Sequence, residues 1–204
     1  MQKYVIASNN EHKVKEFQNM LKPFGIKVVP YKDVIKEEFE IEETGKTFEE
    51  NAKKKANEIA NFLKARGEKD YIVMADDSGI EVDYLNGAPG IYSARYAGEH
   101  GNDAKNNEKL LHELEGIEED RRGAKFICQL ALINDSGKYL GIKGEVSGRI
   151  IEGLAGEGGF GYDPLFYYEP LNKTFGEISV EEKNEISHRA VALKELKQRI
   201  YEIL

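Results

Sequence analysis

The stretch Tyr71-Ile72-Val73-Met74-Ala75-Asp76-Asp77-Ser78-Gly79 constrains this chain more than any other. An apolar β-type run that ends abruptly in two carboxylates, a hydroxyl and a glycine reads as a buried strand delivering acids to a site. Open α/β sheets hold their ligands at the carboxyl ends of strands, and hard oxygen groups there suit a hard cation such as Mg²⁺. Asp-Ser-Gly is also ordinary turn chemistry, so this stretch alone leaves a site and a plain Asp-rich turn evenly balanced.

With 204 residues, 40% of them hydrophobic, the chain can bury one good core, as one domain or two closely joined lobes. Its single cysteine, Cys128, excludes an intramolecular disulfide framework and a thiolate metal cage. No early stretch has the length or flanks of a signal peptide, and the apolar start Tyr4-Val5-Ile6-Ala7 breaks at Ser8, so a cytoplasmic protein that does not enter membranes is expected. The net charge of −8 argues against a broad nucleic-acid surface, which needs a positive field. A small phosphorylated ligand stays compatible if Lys, Arg and His gather locally, helped by a divalent cation.

Along the chain, residues 3–7 read as a strand, and residues 13–21 place Val14, Phe17, Met20 and Leu21 on one helical face. Between them, Ser8-Asn9-Asn10-Glu11-His12-Lys13 forms a polar strand-to-helix turn. Backbone N–H groups at a helix N-terminus and a lysine in the first turn suit phosphate oxygens, although a polar cap alone has the same look and the glycines of a P-loop are absent. After a second strand at residues 26–30 comes an acidic loop with Glu37, Glu38, Glu40, Glu42 and Glu43. Thr47-Phe48-Glu49-Glu50 is a capping box opening a helix with Phe48, Ala52, Ala56, Ile59 and Leu63 along its buried stripe. Of Lys53, Lys54 and Lys55, one can point back towards the preceding loop.

Asn102 can cap a helix carrying Leu110, Leu111 and Leu114, and Asn134-Asp135-Ser136-Gly137 between two β-type runs is the best hairpin signal. A lobe boundary is expected near residue 120. Gly153, Gly156, Gly158, Gly159 and Gly161 crowd the approach to Phe160, Tyr162 and Asp163, which implies backbone passing close to a strand or a ligand. The aromatic set suits either a stacked base or core packing. Ser179-Val180-Glu181-Glu182 is a second capping box, and Lys183, His188 and Arg189 supply the positive charge that a phosphorylated ligand requires.

Taken in order, Ser8-Asn9-Asn10 with Lys13, Glu43-Thr44-Gly45 with Thr47-Phe48 and Glu50-Asn51-Ala52, Ala75 through Gly79, Ala88 through Gly98, Gly159 through Phe166, and Ile186 through Ala190 resemble the inosine triphosphate pyrophosphatase family over nearly the full length. One departure is Ser8-Asn9-Asn10 where relatives more often carry Thr-Gly-Asn. The resemblance implies a single domain over residues 1–204, with an elongated, two-lobed α/β fold, a long mixed β-sheet flanked by helices, a nucleotide cleft between the lobes, and a homodimer. It implies hydrolysis of non-standard purine nucleoside triphosphates (ITP, dITP, XTP) to monophosphate and pyrophosphate with Mg²⁺. By the same resemblance Ser8, Asn9, Asn10, Glu11, His12 and Lys13 form the phosphate loop, Glu42 and Asp77 hold Mg²⁺, Ser78 contacts substrate and Lys55 pairs with phosphate. Phe160, Gly161, Tyr162 and Asp163 become the base-facing loop, and Lys183, His188 and Arg189 the remaining nucleotide contacts.

Asp77 is assigned as the base that deprotonates the attacking water. Asp76, on the opposite face if the strand persists, is expected to support the site or hold a second ion. Two rival readings are a nucleotide-binding regulatory module without catalysis and a pyrophosphatase for modified pyrimidine nucleotides.

Overall fold

The computed structural model describes residues 3–35 and 41–204; Glu37, Glu38 and Glu40 of the acidic loop lie outside them. Along the chain come β1 (Lys3–Ile6), α1 (Glu11–Leu21), β2 (Val28–Pro30), α2 (Tyr31–Val34), α3 (Phe48–Ala65), β3 (Tyr71–Val82), α4 (Asp103–Glu113), β4 (Gly123–Asn134), β5 (Tyr139–Ile150), β6 (Phe166–Tyr168), β7 (Lys173–Thr174), α5 (Val180–Ile186) and α6 (His188–Arg199). The strands form one mixed, seven-stranded sheet in the order β2-β1-β3-β4-β5-β6-β7, flanked by helices. No helix among the described residues is long and apolar enough to cross a membrane.

β1 runs parallel to both β2 and β3, with Lys3 opposite Tyr71 and Ile6 opposite Met74. Parallel strands covered on both faces need apolar residues at successive positions, which is why Tyr71 through Ala75 show no alternation and are all buried. The same register carries Ala7 onto Met74, whose carbonyl accepts the Ala7 N–H at 2.8 Å. The loop after β1 therefore leaves the sheet beside Asp76. At the other side, β5, β6 and β7 pair antiparallel. The predicted hairpin joins β4 to β5, and Asn134 organises its turn by accepting the Ser136 and Lys138 N–H groups at 3.1 and 2.9 Å.

The chain resolves into two compact units: Met1–Asp77 with Cys128–Gly144 and Ala192–Leu204, and Ser78–Ile127 with Glu145–Val191. The chain passes from one unit to the other within β3, β4 and β5, after Asp77, Ile127 and Gly144. In the first unit, Ala52, Ala56, Ile59 and Leu63 of α3 pack on Val5, Val73, Ala75, Ala131 and Ile133. Each large aliphatic chain buried this way stabilises the fold by about 1.5–3 kcal/mol. In the second unit, Ile80, Val82, Leu110, Leu114, Ile150 and Leu165 surround an aromatic group in which Phe126 lies 4.6 Å from Phe166 and stacks on Phe175 at 5.8 Å.

The two predicted capping boxes differ in outcome. That of α5 is complete, with Ser179 and Glu182 bonding each other's backbone. At α3, Thr47 accepts the Glu50 N–H at 3.1 Å, but the Glu50 carboxylate takes the Lys46 N–H at 2.6 Å instead of returning to Thr47. The glycine-rich approach to Phe160 meets protein: Gly158 donates to the Gly176 carbonyl at 2.9 Å, and a Cβ on Gly159 would fall 2.0 Å from the Asp163 carboxylate.

Candidate active site

Two groups of charged side chains stand out, one in each unit. The first gathers around Asp77, whose position on β3 gives it a buried carboxylate. β3 continues to Val82, so alternation sends Asp76 and Asp77 to different partners. Lys55 donates to Asp77 Oδ1 at 3.1 Å and to Glu43 Oε1 at 2.8 Å, while Lys13 pairs with Asp76 at 3.0 Å. Thus Asp76 holds the lysine of the α1 turn.

Lys55 alone of the three consecutive lysines is buried, because α3 turns it inward together with Asn51 one turn earlier. Asn51 is fully buried and joins two segments. Its Oδ1 accepts the Gly45 N–H at 2.7 Å and its Nδ2 donates to Asp77 Oδ2 at 3.1 Å. The amide orientation is fixed by chemistry, since Gly45 offers only a donor and the carboxylate only an acceptor. Gly45 is required here by close approach: a Cβ would sit 2.6 Å from Asn51 Oδ1 and 2.9 Å from Asn51 N.

Both oxygens of Asp77 are therefore oriented, one by an ammonium and one by an amide. Burial raises the Asp77 proton affinity above that of an ordinary carboxylate, opposed by Lys55 and Lys13 and reinforced by Glu43. Burial alone would lower the Lys55 pKa, but Asp77, Glu43 and Asp76 outweigh it and hold the ammonium charged. The carboxylates Asp76, Asp77 and Glu43 outnumber the ammoniums Lys13 and Lys55. That local excess of hard, negative oxygen suits a divalent cation. Among the described residues no three His, Cys, Asp or Glu converge as a ready-made metal cage. Mg²⁺ commonly takes one or two carboxylates and completes its shell with phosphate oxygens and water.

Of the other residues singled out in the sequence, Glu42 is exposed and it is the neighbouring Glu43 that reaches Lys55. In the α1 turn, Asn10 Oδ1 accepts the His12 and Lys13 N–H groups at 3.0 and 3.2 Å, and Ser8 Oγ accepts the Asn10 N–H at 3.2 Å. These N–H groups are capped internally, so a phosphate reaching them would replace the Asn10 side chain. Asn9 Oδ1 accepts from the Tyr31 hydroxyl. Glu11 and His12 are exposed on the first turn of α1, and Ser78 is half-buried on β3.

The second group centres on Asp163, whose Oδ2 accepts the Phe160 N–H at 2.8 Å and the Lys183 ammonium at 2.6 Å. Lys183 Nζ and the Arg189 guanidinium lie 4.7 and 5.4 Å from the Phe160 ring centroid. Ser187 ends α5 and accepts the Ala190 N–H at 3.2 Å, which sets His188 and Arg189 at the start of α6. His188 is buried and stacks on Phe126 at 4.8 Å and 12°. Tyr162 donates to the Ser93 carbonyl at 2.8 Å.

Asn51 enters the sequence reading only within the motif Glu50-Asn51-Ala52, with no site role, although it leaves a signal: Asn51 and Lys55 are polar interruptions of the stripe Phe48, Ala52, Ala56 and Ile59. Replacing Asn51 by Ala leaves the Gly45 N–H and one Asp77 oxygen unpaired, so stability is expected to fall by roughly 1–3 kcal/mol. Turnover should fall with it because Asp77 loses its orientation. Denaturant unfolding and steady-state kinetics on the same sample check this; unaltered kcat removes Asn51 from the site.

Fold and side chains together describe an α/β protein with a mixed sheet and buried groups of paired charges. The chain belongs to the Ham1 family, whose model matches residues 4–199. It is 55% identical to the dITP/XTP pyrophosphatase of Clostridium perfringens over 100% of both chains, and 50% identical to that of Listeria monocytogenes over 100% of this chain and 97% of the relative. The solved structure of the Staphylococcus aureus Ham1 protein is similar with a TM-score of 0.85 at 44% identity, covering 98% of each chain. A nucleoside-triphosphatase / dITP/XTP pyrophosphatase from Mycobacterium abscessus gives 0.75 at 41% identity, covering 96% of this chain and 98% of the other. The family resemblance carried by the sequence motifs is thereby borne out.

Proposed function

We propose that this chain is a nucleoside-triphosphate pyrophosphohydrolase that converts non-standard purine nucleotides, ITP, dITP and XTP, to the monophosphate and pyrophosphate. One structural observation carries the mechanism: a buried carboxylate, Asp77, oriented by Lys55 and Asn51, with its proton affinity raised by burial. A pure binder has no use for a poised base, which sets the regulatory-module reading aside. Full-length identity of 46–55% to proteins named dITP/XTP pyrophosphatase supports purine over pyrimidine substrates.

In this reading Asp77 accepts a proton from the water that attacks the α-phosphorus. The new bond joins water oxygen to that phosphorus, the α–β bridging P–O bond breaks, and pyrophosphate leaves in line. Lys55 and Lys13 receive phosphate oxygens as point charges, and the Ser8 to Lys13 turn helps to position them. Asp77 and Glu42 would hold Mg²⁺, with Glu43 and Asp76 alongside. When bound, the cation supplies neutralisation of the triphosphate charge. The purine ring falls to Phe160 and the loop through Asp163, with Lys183, His188 and Arg189 behind it.

Single turnover in ¹⁸O-water tests the position of attack. Label is expected in the nucleoside monophosphate and not in pyrophosphate. Orthophosphate and a nucleoside diphosphate as products would instead identify an ordinary phosphatase, and turnover of modified pyrimidine nucleotides in the same assay would favour the pyrimidine reading.

A further inference from the structure

The helix α4 contributes two side chains to the loop that carries Phe160, although it lies more than fifty residues away in sequence. Asp103 Oδ2 accepts the Gly161 N–H at 2.7 Å, and Asn107 Nδ2 donates to the Gly161 carbonyl at 3.0 Å. The two residues are one helical turn apart, so both project from the same face of α4. Between them they hold both polar atoms of one residue, and that residue has a left-handed backbone, with φ of 63°. The preceding N–H, of Phe160, is held by Asp163, and the Asp163 N–H returns to the Phe160 carbonyl at 3.3 Å.

We infer that Asp103 and Asn107 are positioning residues for base selection: they clamp Gly161 and thereby fix the direction of the Phe160 ring before nucleotide arrives. This rests on the reading of residues 160–163 as the base-facing loop.

Two observations separate the clamp from ordinary packing. Capping of α4 is already provided by Asn102, which accepts the Lys105 N–H at 3.1 Å, so the Asp103 carboxylate is not needed for that purpose. Asn107 is buried, and its Oδ1 has no hydrogen-bond partner among the described residues. A buried, unpaired acceptor is unfavourable, and an apolar residue would avoid it. The amide is therefore retained for its donor, which serves Gly161. Around this point the chain is rich in glycine, which would leave Phe160 many orientations. A loop ordered in advance spends less of the base's binding energy on ordering and presents its donors at one fixed distance. Loss of the clamp therefore weakens the preferred base, whose contacts need that geometry, more than a base that makes none.

The test compares wild type with Asp103→Ala, Asp103→Asn, Asn107→Ser and Phe160→Ala, measuring kcat and KM for ITP and ATP together with thermal melting. Asp103→Ala is expected to lower the ITP-to-ATP ratio of kcat/KM about tenfold, the worth of one charge-assisted hydrogen bond. The change should appear in KM for ITP with kcat nearly unaltered. Asp103→Asn keeps an acceptor for the same N–H and should recover most of the ratio, while Asn107→Ser should lower it by a smaller factor. If Asp103→Ala does not fold, the Asn107→Ser ratio decides alone. A lower melting temperature with an unchanged ratio overturns the clamp and leaves a structural role. Phe160→Ala separates the two layers: if it collapses the ratio while the α4 variants do not, the clamp fails and the base-facing loop stands. An unchanged ratio in Phe160→Ala removes both.

Discussion

Replacing Asp77 by Asn is expected to lower kcat by about 10²–10⁴-fold, the usual worth of a positioned general base, while the protein remains folded. The substitution keeps the shape of the side chain and its acceptor for Lys55, but removes the site at which a water proton can land. The fold should survive. Because burial raises the folded pKa of Asp77, the fold favours its neutral form. Its favourable contribution is then complete below the unfolded pKa and is lost as pH rises through the folded value. At neutral pH the ionised carboxylate is a burden on the fold. The amide relieves that burden but sets its NH2 against Asn51 Nδ2 or the Lys55 ammonium and removes one anionic partner of buried Lys55, so the variant is expected to fold with a lowered melting temperature. For activity the sign is opposite: the base works only when deprotonated, so the acid limb of the wild-type pH profile lies above the ordinary carboxylate range. Bound Mg²⁺ favours the charged form, so raising its concentration should move that limb to lower pH. Pyrophosphate release and melting, measured together, check both halves. Near-normal turnover in a folded variant would remove Asp77 from the chemistry.

What was legible in the sequence was local. The Asn134 turn and the complete capping box at Ser179 depend on residues a few positions apart and formed as read, whereas the apolar run does not end at its acids: β3 continues to Val82 and carries Asp76 and Asp77 mid-strand. What was not legible joins distant segments. Asn51 meets Asp77 across 26 positions and Asp103 meets Gly161 across 58, and hydrophobic periodicity carries no record of such pairings. The neighbouring acids Glu42 and Glu43 lie in a loop with no period at all, so only the placement of α3 decides which of them faces Lys55. The turn at Ser8 taught a different lesson. Its residue types were read as open donors for phosphate, yet those same short polar side chains fold back on the N–H groups beside them. Short side chains with acceptors commonly satisfy their own backbone first.

Discrimination among purines is the second large effect. ITP and XTP, which carry a 6-oxo group and lack the 2-amino group of guanine, are expected to exceed ATP in kcat/KM by about tenfold to a hundredfold. Near the Phe160 ring lie the Lys183 ammonium and the Arg189 guanidinium, groups that donate hydrogen bonds and accept none. An oxygen at position 6 can receive such a donor, whereas the 6-amino group of adenine meets it donor to donor and leaves a buried polar group unpaired. Lys183 is already committed to Asp163 at 2.6 Å, and His188 turns its ring face to Phe126. Arg189, whose planar guanidinium can give two parallel N–H bonds, is the side chain on which the ITP advantage should depend most. Replacing it by Ala should narrow the gap between ITP and ATP chiefly by lowering kcat/KM for ITP. Rejection of GTP has a different origin, since guanine shares the 6-oxo group and must be excluded at its 2-amino position, so Arg189→Ala should leave the ratio of ITP to GTP nearly constant. Rates for ITP, XTP, GTP and ATP at fixed Mg²⁺, with their deoxy forms, decide the matter. Equal rates for ATP and ITP in the wild type would end the base-selection claim and leave the hydrolysis at Asp77 standing.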